Sequence, residues 1–445
     1  MNPSFPAAMA EPVADFSQDT WWIWLIKAVF IVLYLILSVI LALWVERRGL
    51  GRMQNRLGPN VTGWLGFGQA FADAIKLMLK EDFTLKGAEK VIYFLAPVIS
   101  ALCAFSIYAV IPFGPEVSMF GITTPLQLAD SSVALLYILA VASLGVYGLV
   151  LGGWSANSTY PLLGSVRSAA QVISYELAMG LSLVSVFLVA GTMSTSSLVE
   201  GQTDLWNVFI CLPAFITYFI SMIGEVNRLP FDLPEAEGEL VAGHTTEYSA
   251  MKFGWFYLSE YINMLNVSTI AVIVFLGGWR APWPISAIND GMFNEGWWPM
   301  LWLFLKTWTM MFMFIWIRGT LLRMRYDHFM KLGWKVLIPV ALAWFVAVAI
   351  IQGIGSFTDI DTQMILIILA AIFLVIFAIL WFIDDKSEPE RTSRDGTVID
   401  PKNDFDAFEG GFPVPPLPGQ ALPPSPRAKR APAYSSTAKE ADSDE

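Results

Sequence analysis

Two cysteines and two histidines are all that 445 residues contain of either type. Cys103 and Cys211 are far apart in sequence, and no CxxC pair exists. That excludes an iron–sulfur or zinc framework built on clustered thiolates. His244 and His328 are expected in loops, which excludes paired histidine ligation of a haem within a helix bundle. The chain has no visible means of carrying an electron. Charge is also scarce, at 15% of residues, against about 25% in an ordinary soluble domain. Residues 1–20 hold no Lys or Arg, so they lack the basic start of a secretory signal. They are read as a short external arm.

What fills the chain instead is apolar. Hydrophobic residues make up 56%, with 18 Trp and 31 Phe, and the mean hydropathy is +0.57. The apolar residues come in long runs, and a spanning helix needs about 20 of them. Runs at 21–45, 91–113, 131–153, 171–191, 206–224, 257–279, 298–318, 334–353 and 363–383 predict about nine spanning helices. The expected fold class is all-α, a polytopic membrane helix bundle. No convincing internal repeat is present, which weighs against transporter folds built from repeats.

Lys and Arg mark the cytoplasmic side. The segment after the first span carries Arg47, Arg48, Arg52, Arg56, Lys76, Lys80, Lys86 and Lys90, whereas 114–130, 192–205 and 354–362 carry none. The N-terminus is therefore expected outside, with the odd-to-even loops and the tail inside. Residues 384–445 are rich in Pro, Ser and acids, as in "GFPVPPLPGQALPPSPRAKRAPAYSS". Such a tail cannot bury a core and is expected to be disordered. Three regions follow: an arm over 1–20, a membrane domain over 21–383, and the tail. Lys27 and Lys306 fall near the outer ends of spans, where snorkelling is the expected arrangement.

The inside loops carry the functional signal. In "ERRGLGRMQNRLGPNVTGWLGFGQAFADAIKLMLKEDF", Phe67, Phe71, Ile75 and Met78 share one helical face. Gln69, Asp73, Lys76 and Lys80 share the other, which predicts an amphipathic helix in the membrane interface. It reads equally as a surface anchor or as the wall of a cavity for an amphipathic ligand. Arg52, Arg56, Gly58 and Pro59 would form the turn leading into it.

A second inside loop, "EVNRLPFDLPEAEGELVAGHTTEYSA", packs six acids between two apolar segments. Asp232 and Glu235 fit a capping box, with a short helix running to Ala242 and Gly243 as its C-cap. Capping leaves Glu239, Glu247, Glu225 and Glu260 unexplained. Glu176 lies within span four, Glu225 closes span five, and Glu260 opens span six. A carboxylate at the bilayer centre costs about 2.5–3.5 kcal/mol on insertion scales. One such acid reads as half of a structural pair, with Arg167 or Arg228 as its partner. Several converging on one loop read as a hydrated proton path.

Five stretches together resemble a known family. They are "ERRGLGRMQNRLGPN", "FADAIKLMLKED", "GGWSANSTYPLLGSVRSAAQVISYELAMG", "GEVNRLPFDLPEAEGELVAGHTTEYSAMKFGWFYLSEYINM" and "WIRGTLLRMRYDHFMKLGWK". They are similar to the H subunit of bacterial NADH:quinone oxidoreductase, the ND-one chain of mitochondrial complex I. The resemblance implies a membrane subunit that joins the membrane arm to the soluble redox arm, with quinone (menaquinone or ubiquinone) as substrate. It implies no metal, flavin or iron–sulfur cluster on this chain. Implied partners are the soluble quinone-site and terminal iron–sulfur subunits, small membrane subunits, quinone and lipid, without nucleic acid, in a bacterial plasma membrane.

By motif match, Glu46, Arg47, Arg56, Asp73, Arg228 and Asp232 fall at or near the quinone chamber. Glu176, Glu225, Glu235, Glu237, Glu239, Glu247 and Glu260 match the family's acidic proton path. The family's loop reads approximately EGESELVSGF, and here it is "EAEGELVAGH". Ala236 and Gly238 alter the turn, and His244 replaces an aromatic. As a loop histidine, His244 is expected to be solvated, with a proton relay as the sharper alternative. Three other readings are a membrane anchor of an energy-converting hydrogenase, a stand-alone secondary transporter and a passive anchor.

Overall fold

The computed structural model describes residues 14–119, 121–203, 205–232, 241–283, 285–355 and 362–383. The chain divides into two compact units, Met1–Ile376 and Phe377–Glu445. The expected tail, 384–445, lies outside the described residues, as does the acid-rich stretch 233–240.

Seven helices among the described residues are long and apolar enough to cross a membrane. They are α1 (Trp21–Met53), α3 (Lys90–Ile107, continuing as a tighter turn to Val110), α4 (Ala134–Ser155), α5 (Thr159–Ala190), α9 (Ala250–Phe275), α10 (Trp298–Thr320) and the run Tyr326–Gly355. That run joins α11 (Tyr326–Leu332) to α12 (Ile338–Gly355) through a π-helical turn at Gly333–Leu337. Two further apolar helices, α8 (Leu212–Glu225) and α13 (Thr362–Ile383), stand where the fifth and ninth spans are expected. The remaining helices are short: α2 (Gln69–Leu79), α6 (Thr195–Glu200) and α7 (Asn207–Ile210).

The long helices run past their apolar stretches. With 33 residues, α1 is about 50 Å long at 1.5 Å per residue, against a hydrocarbon core of about 30 Å. Its last turns carry Glu46, Arg47 and Arg48 beyond the apolar stretch. The segment between α3 and α4 is more than a plain loop. It folds into a hairpin, β1 (Glu116–Met119) against β2 (Ile122–Pro125), antiparallel with Val117 opposite Thr124. Its β-branched residues and the Gly121 turn at φ +84° suit that geometry.

Helix α9 is the axis of the bundle. In its apolar window 83% of residues are buried, against 22–56% in the other six spans. Small residues let its neighbours close up, as is usual where apolar burial cannot drive helix association. A methyl group at Gly148 of α4 would stand 2.9 Å from the Ser100 nitrogen of α3.

Pro97 interrupts α3 and cannot donate to the carbonyl of Tyr93. Tyr248 takes that place: its hydroxyl reaches the Tyr93 carbonyl at 3.2 Å. The two rings stack at 4.2 Å, and the Tyr93 hydroxyl donates to the Glu247 carbonyl at 2.6 Å. The proline thus creates the acceptor that ties the start of α9 to α3.

Two expectations about buried lysines need correction. Lys306 does not snorkel. It donates to the carbonyls of Leu276 (2.6 Å), Gly278 (3.1 Å) and Arg280 (2.7 Å) and lies over the Trp206 ring. The end of α9 and the turn after it leave carbonyls without intrahelical partners, and the half-buried Lys306 satisfies them. Lys27 pairs with Asp19 at 2.6 Å, and both side chains are buried.

Candidate functional site

Where α1 leaves its apolar stretch, a cavity of about 570 Å³ opens. That lies within the 300–1,000 Å³ typical of small-ligand sites, as an order of magnitude. Glu46, Arg47 and Leu50 of α1 line it, with Arg56, Gly58 and Pro59 from the following turn. Tyr257 and Tyr261 of α9 and Arg318 of α10 complete it. Gly58 permits the turn to fold back on α1: a methyl there would meet the Arg48 Cα at 2.9 Å.

Behind the cavity wall lies a charge-balanced cluster. Glu46, 6% exposed, accepts hydrogen bonds from Arg318 and from the Tyr261 hydroxyl, the latter at 2.6 Å. Arg228 approaches Glu46 at 3.7 Å and Glu260 at 2.8 Å. Its guanidinium also lies 4.2 Å from the centre of the Tyr261 ring. Burial opposes the Arg228 charge, but Glu260 and Glu46 outweigh it and hold the group protonated, well above its usual range. Two carboxylates face two guanidinium groups, which is the arrangement that lets buried charges persist.

On the outer flank, Asp73 of α2 accepts from Arg47 at 2.5 Å and from Gln69 at 3.1 Å, with Lys76 at 3.7 Å. Partial burial works against ionisation, yet the Arg47 hydrogen bond and charge hold Asp73 below its ordinary value of 3.8. The apolar face of α2 is uncovered, with Phe71, Ile75 and Met78 exposed. This is the split the sequence pattern predicts for an interfacial helix.

A second cavity, about 70 Å³, lies deeper between α4, α8 and α9. Glu225, Asn227, His244, Tyr257, Ser259, Glu260 and Asn263 are among its lining residues. At about 10–15 Å³ of free space per water, a polar cavity of this size holds several. It shares Tyr257 with the first cavity. A third, about 40 Å³, continues from Glu225 and Asn263 toward Tyr218 and Asn266. Glu225 Oε2 is buried without a hydrogen-bond partner. Glu176 of α5 accepts from Ser143 of α4 and lies within electrostatic reach of Glu225.

The family model for NADH dehydrogenase matches residues 26–349. The chain belongs to the NADH dehydrogenase family. A curated relative from Streptomyces avermitilis, named as the H subunit of NADH-quinone oxidoreductase, is 50% identical over 427 residues. The match covers 95% of this chain and 93% of that one.

For this NADH dehydrogenase family member, the structure brings together Glu46, Arg47 and Arg56 in the large cavity and attaches Arg228 and Asp73 to it through Glu46 and Arg47. Asp232 is half-buried beside the stretch 233–240. Glu225 and Glu260 share the deeper cavity. Glu247 is half-buried, fixed through its backbone to Tyr93. Glu235, Glu237 and Glu239 lie outside the described residues, as does most of the expected capping helix; Gly243, at φ +55°, opens a short 3-10 turn.

Arg318, Tyr257 and Tyr261 do not stand out in the sequence. A signal exists all the same: Tyr257, Glu260 and Tyr261 stand at i, i+3 and i+4 on one polar face of a span. Arg318 closes the last turn of α10 at the same end of the bundle. His244 also departs from expectation, being 7% exposed rather than solvated.

Proposed function

We propose that the chain is a multi-pass membrane subunit of a proton-translocating NADH:quinone oxidoreductase, working beside the other subunits of that complex. It forms part of the quinone chamber and the start of an acidic path that couples quinone reduction to proton movement. One observation carries this reading most directly. A ligand-sized cavity at the membrane edge shares Tyr257 with a polar inner cavity, which shares Glu225 with a third.

In this reading quinone is the substrate, and its electrons come from partner subunits. The chain supplies the chamber wall. Arg56 and Arg47 offer charged donors, and in the cluster behind them Glu46 and Glu260 balance Arg228 and Arg318. Tyr257 and Tyr261 offer hydroxyl groups where the chamber meets the deeper cavity. Beyond them Glu260, Glu225 and Glu176 are the ionisable groups along the way, with Glu235, Glu237, Glu239 and Glu247 on the adjoining loop. Asp73 fixes Arg47 from the interfacial helix, and Asp232 sits beside the acidic stretch. We assign the membrane domain to 21–383 and a separate cytoplasmic tail to 384–445, with the N-terminus outside.

Vesicle assays on the assembled complex test the reading. Glu225→Gln and Glu176→Gln keep shape and hydrogen bonding but remove the ionisable proton. Each is expected to reduce proton uptake strongly while assembly persists. Normal pumping in both would refute the path. Arg56→Ala is expected to lower quinone reduction by roughly 10- to 100-fold, the equivalent of about 1.5–3 kcal/mol for a charged hydrogen bond. Equal loss of electron transfer to a soluble artificial acceptor would mean misassembly instead.

A further inference from the structure

We propose that His244 is a proton relay of the inner cavity, passing protons between the Glu260 side and Glu225. The proposal rests on the functional reading above and adds to it a residue of the loop before α9.

Three observations carry it. His244 is 7% exposed, and its Nδ1 is buried with no hydrogen-bond partner. A buried ring nitrogen in that state is costly unless it has a use. His244 also lines the cavity of about 70 Å³ that Glu225 of α8 and Glu260 and Tyr257 of α9 line from the other sides. Finally, its position is fixed. Gly164 of α5 touches the turn so closely that a methyl group there would stand 2.6 Å from Gly243 Cα and 2.9 Å from the His244 nitrogen. Phe256 meets the imidazole edge-to-face at 5.4 Å.

The chemistry suits the place. Burial pushes His244 down to about 4, so the resting ring is neutral, with one nitrogen protonated and one free. A neutral imidazole accepts a proton on the free nitrogen and releases the other nitrogen's proton. No net charge is left behind, and a ring turn restores the starting state. An aromatic hydrocarbon ring in this position fills the same space and carries no proton.

The test uses His244→Gln and His244→Phe in the assembled complex in native membrane vesicles. NADH-driven quinone reduction and proton uptake are normalised to the amount of assembled complex. Glu225→Gln is run beside them. A relay predicts that both histidine variants slow coupled turnover by about tenfold, the lower part of the range for lost proton transfer. The solvent deuterium isotope effect should rise above wild type, because proton transfer becomes limiting. A purely structural role predicts rescue by Gln, which holds water as well as His does, and an unchanged isotope effect. Wild-type behaviour of His244→Gln overturns the relay. Failure of both variants to assemble assigns His244 to packing and overturns it too. If Glu225→Gln loses pumping while His244→Gln does not, only the relay falls. If Glu225→Gln pumps normally, the relay has lost its partner and falls, and the path itself falls as well only if Glu176→Gln also pumps normally.

Discussion

Replacing Glu46 by Gln removes one negative charge from a group of four, of which Glu46 and Arg228 are buried and Glu260 and Arg318 half-buried. Glu46 lies 3.7 Å from Arg228, and its side chain is 8% exposed. At an effective dielectric of 20, that attraction is worth about 4.5 kcal/mol. Breaking a buried pair costs about 3–5 kcal/mol by experience, a consistent figure. The Gln carbonyl still accepts from Arg318 and Tyr261, which recovers about 1.5–3 kcal/mol of charged hydrogen bonding. The expected net loss is therefore about 1.5–3 kcal/mol. The assay is the rate of thermal inactivation of the purified complex, which should rise by one to two orders of magnitude if the loss falls on the barrier, at about 1.4 kcal/mol per tenfold. The decisive arm is the double variant Glu46→Gln with Arg318→Gln. It removes one charge of each sign and leaves Arg228 with Glu260 alone. The double variant should be more stable than the sum of the singles predicts, with a coupling of at least about 1 kcal/mol. Strict additivity would refute the view that the cluster works as one charge-balanced unit.

Tyr248→Phe removes the hydroxyl that serves the Tyr93 carbonyl freed by Pro97, and a loss of about 1 kcal/mol in thermal stability is expected. Gly164→Ala places a methyl 2.6 Å from Gly243 Cα, so a cost of about 1–3 kcal/mol and impaired proton uptake are expected together; full stability would show that the turn yields freely. The Asp73 carboxylate is depressed below 3.8 by Arg47. Its stabilisation is therefore complete above that ordinary value and lost only as pH falls below it. Asp73→Asn should weaken the α1–α2 junction by up to about 1 kcal/mol near neutral pH, as for a partly exposed pair, and erase that acid sensitivity in a melting curve. Cysteines introduced at 60 and 121 should be labelled from the inside and the outside respectively, and the reverse would overturn the orientation.

The apolar spans were legible because hydropathy reads directly what a bilayer demands of a helix. What hydropathy missed were the polar ends. Helix α5 begins at Thr159 and α9 at Ala250, well before the runs at 171 and 257. Those turns leave the hydrocarbon yet keep their helical hydrogen bonds, so a transfer scale stops where the helix does not. The large cavity's lining on α1 and its following turn was legible, because charges next to a span stand out. Arg318 and the two tyrosines were not. Each looks ordinary at the end of a span and gains meaning only when α1, α9 and α10 meet. The loop histidine was hidden for a similar reason. Loop residues are usually solvated, but α5 offers a glycine at the one point where the turn can press inward.

Glu260 is the link between the two halves of the site. It pairs with Arg228 at 2.8 Å on the side of the large cavity and lines the inner cavity on the other. Arg228 also faces Glu46, so it cannot strengthen its hold on one carboxylate without loosening its hold on the other. Loss of the Glu46 charge removes an attraction of about 4.5 kcal/mol at a 3.7 Å separation and a dielectric of about 20, large against thermal energy, and leaves Arg228 free to shift toward Glu260. In the proposed function, a charge change beside the quinone would therefore reach the acidic path through one guanidinium, without requiring a helix to move. Arg228→Lys tests this. Lysine keeps the charge but lacks the fork that serves two carboxylates at once. Quinone reduction is expected to survive in that variant while proton uptake per quinone falls. Parallel loss of both would mean that Arg228 only holds the cluster together.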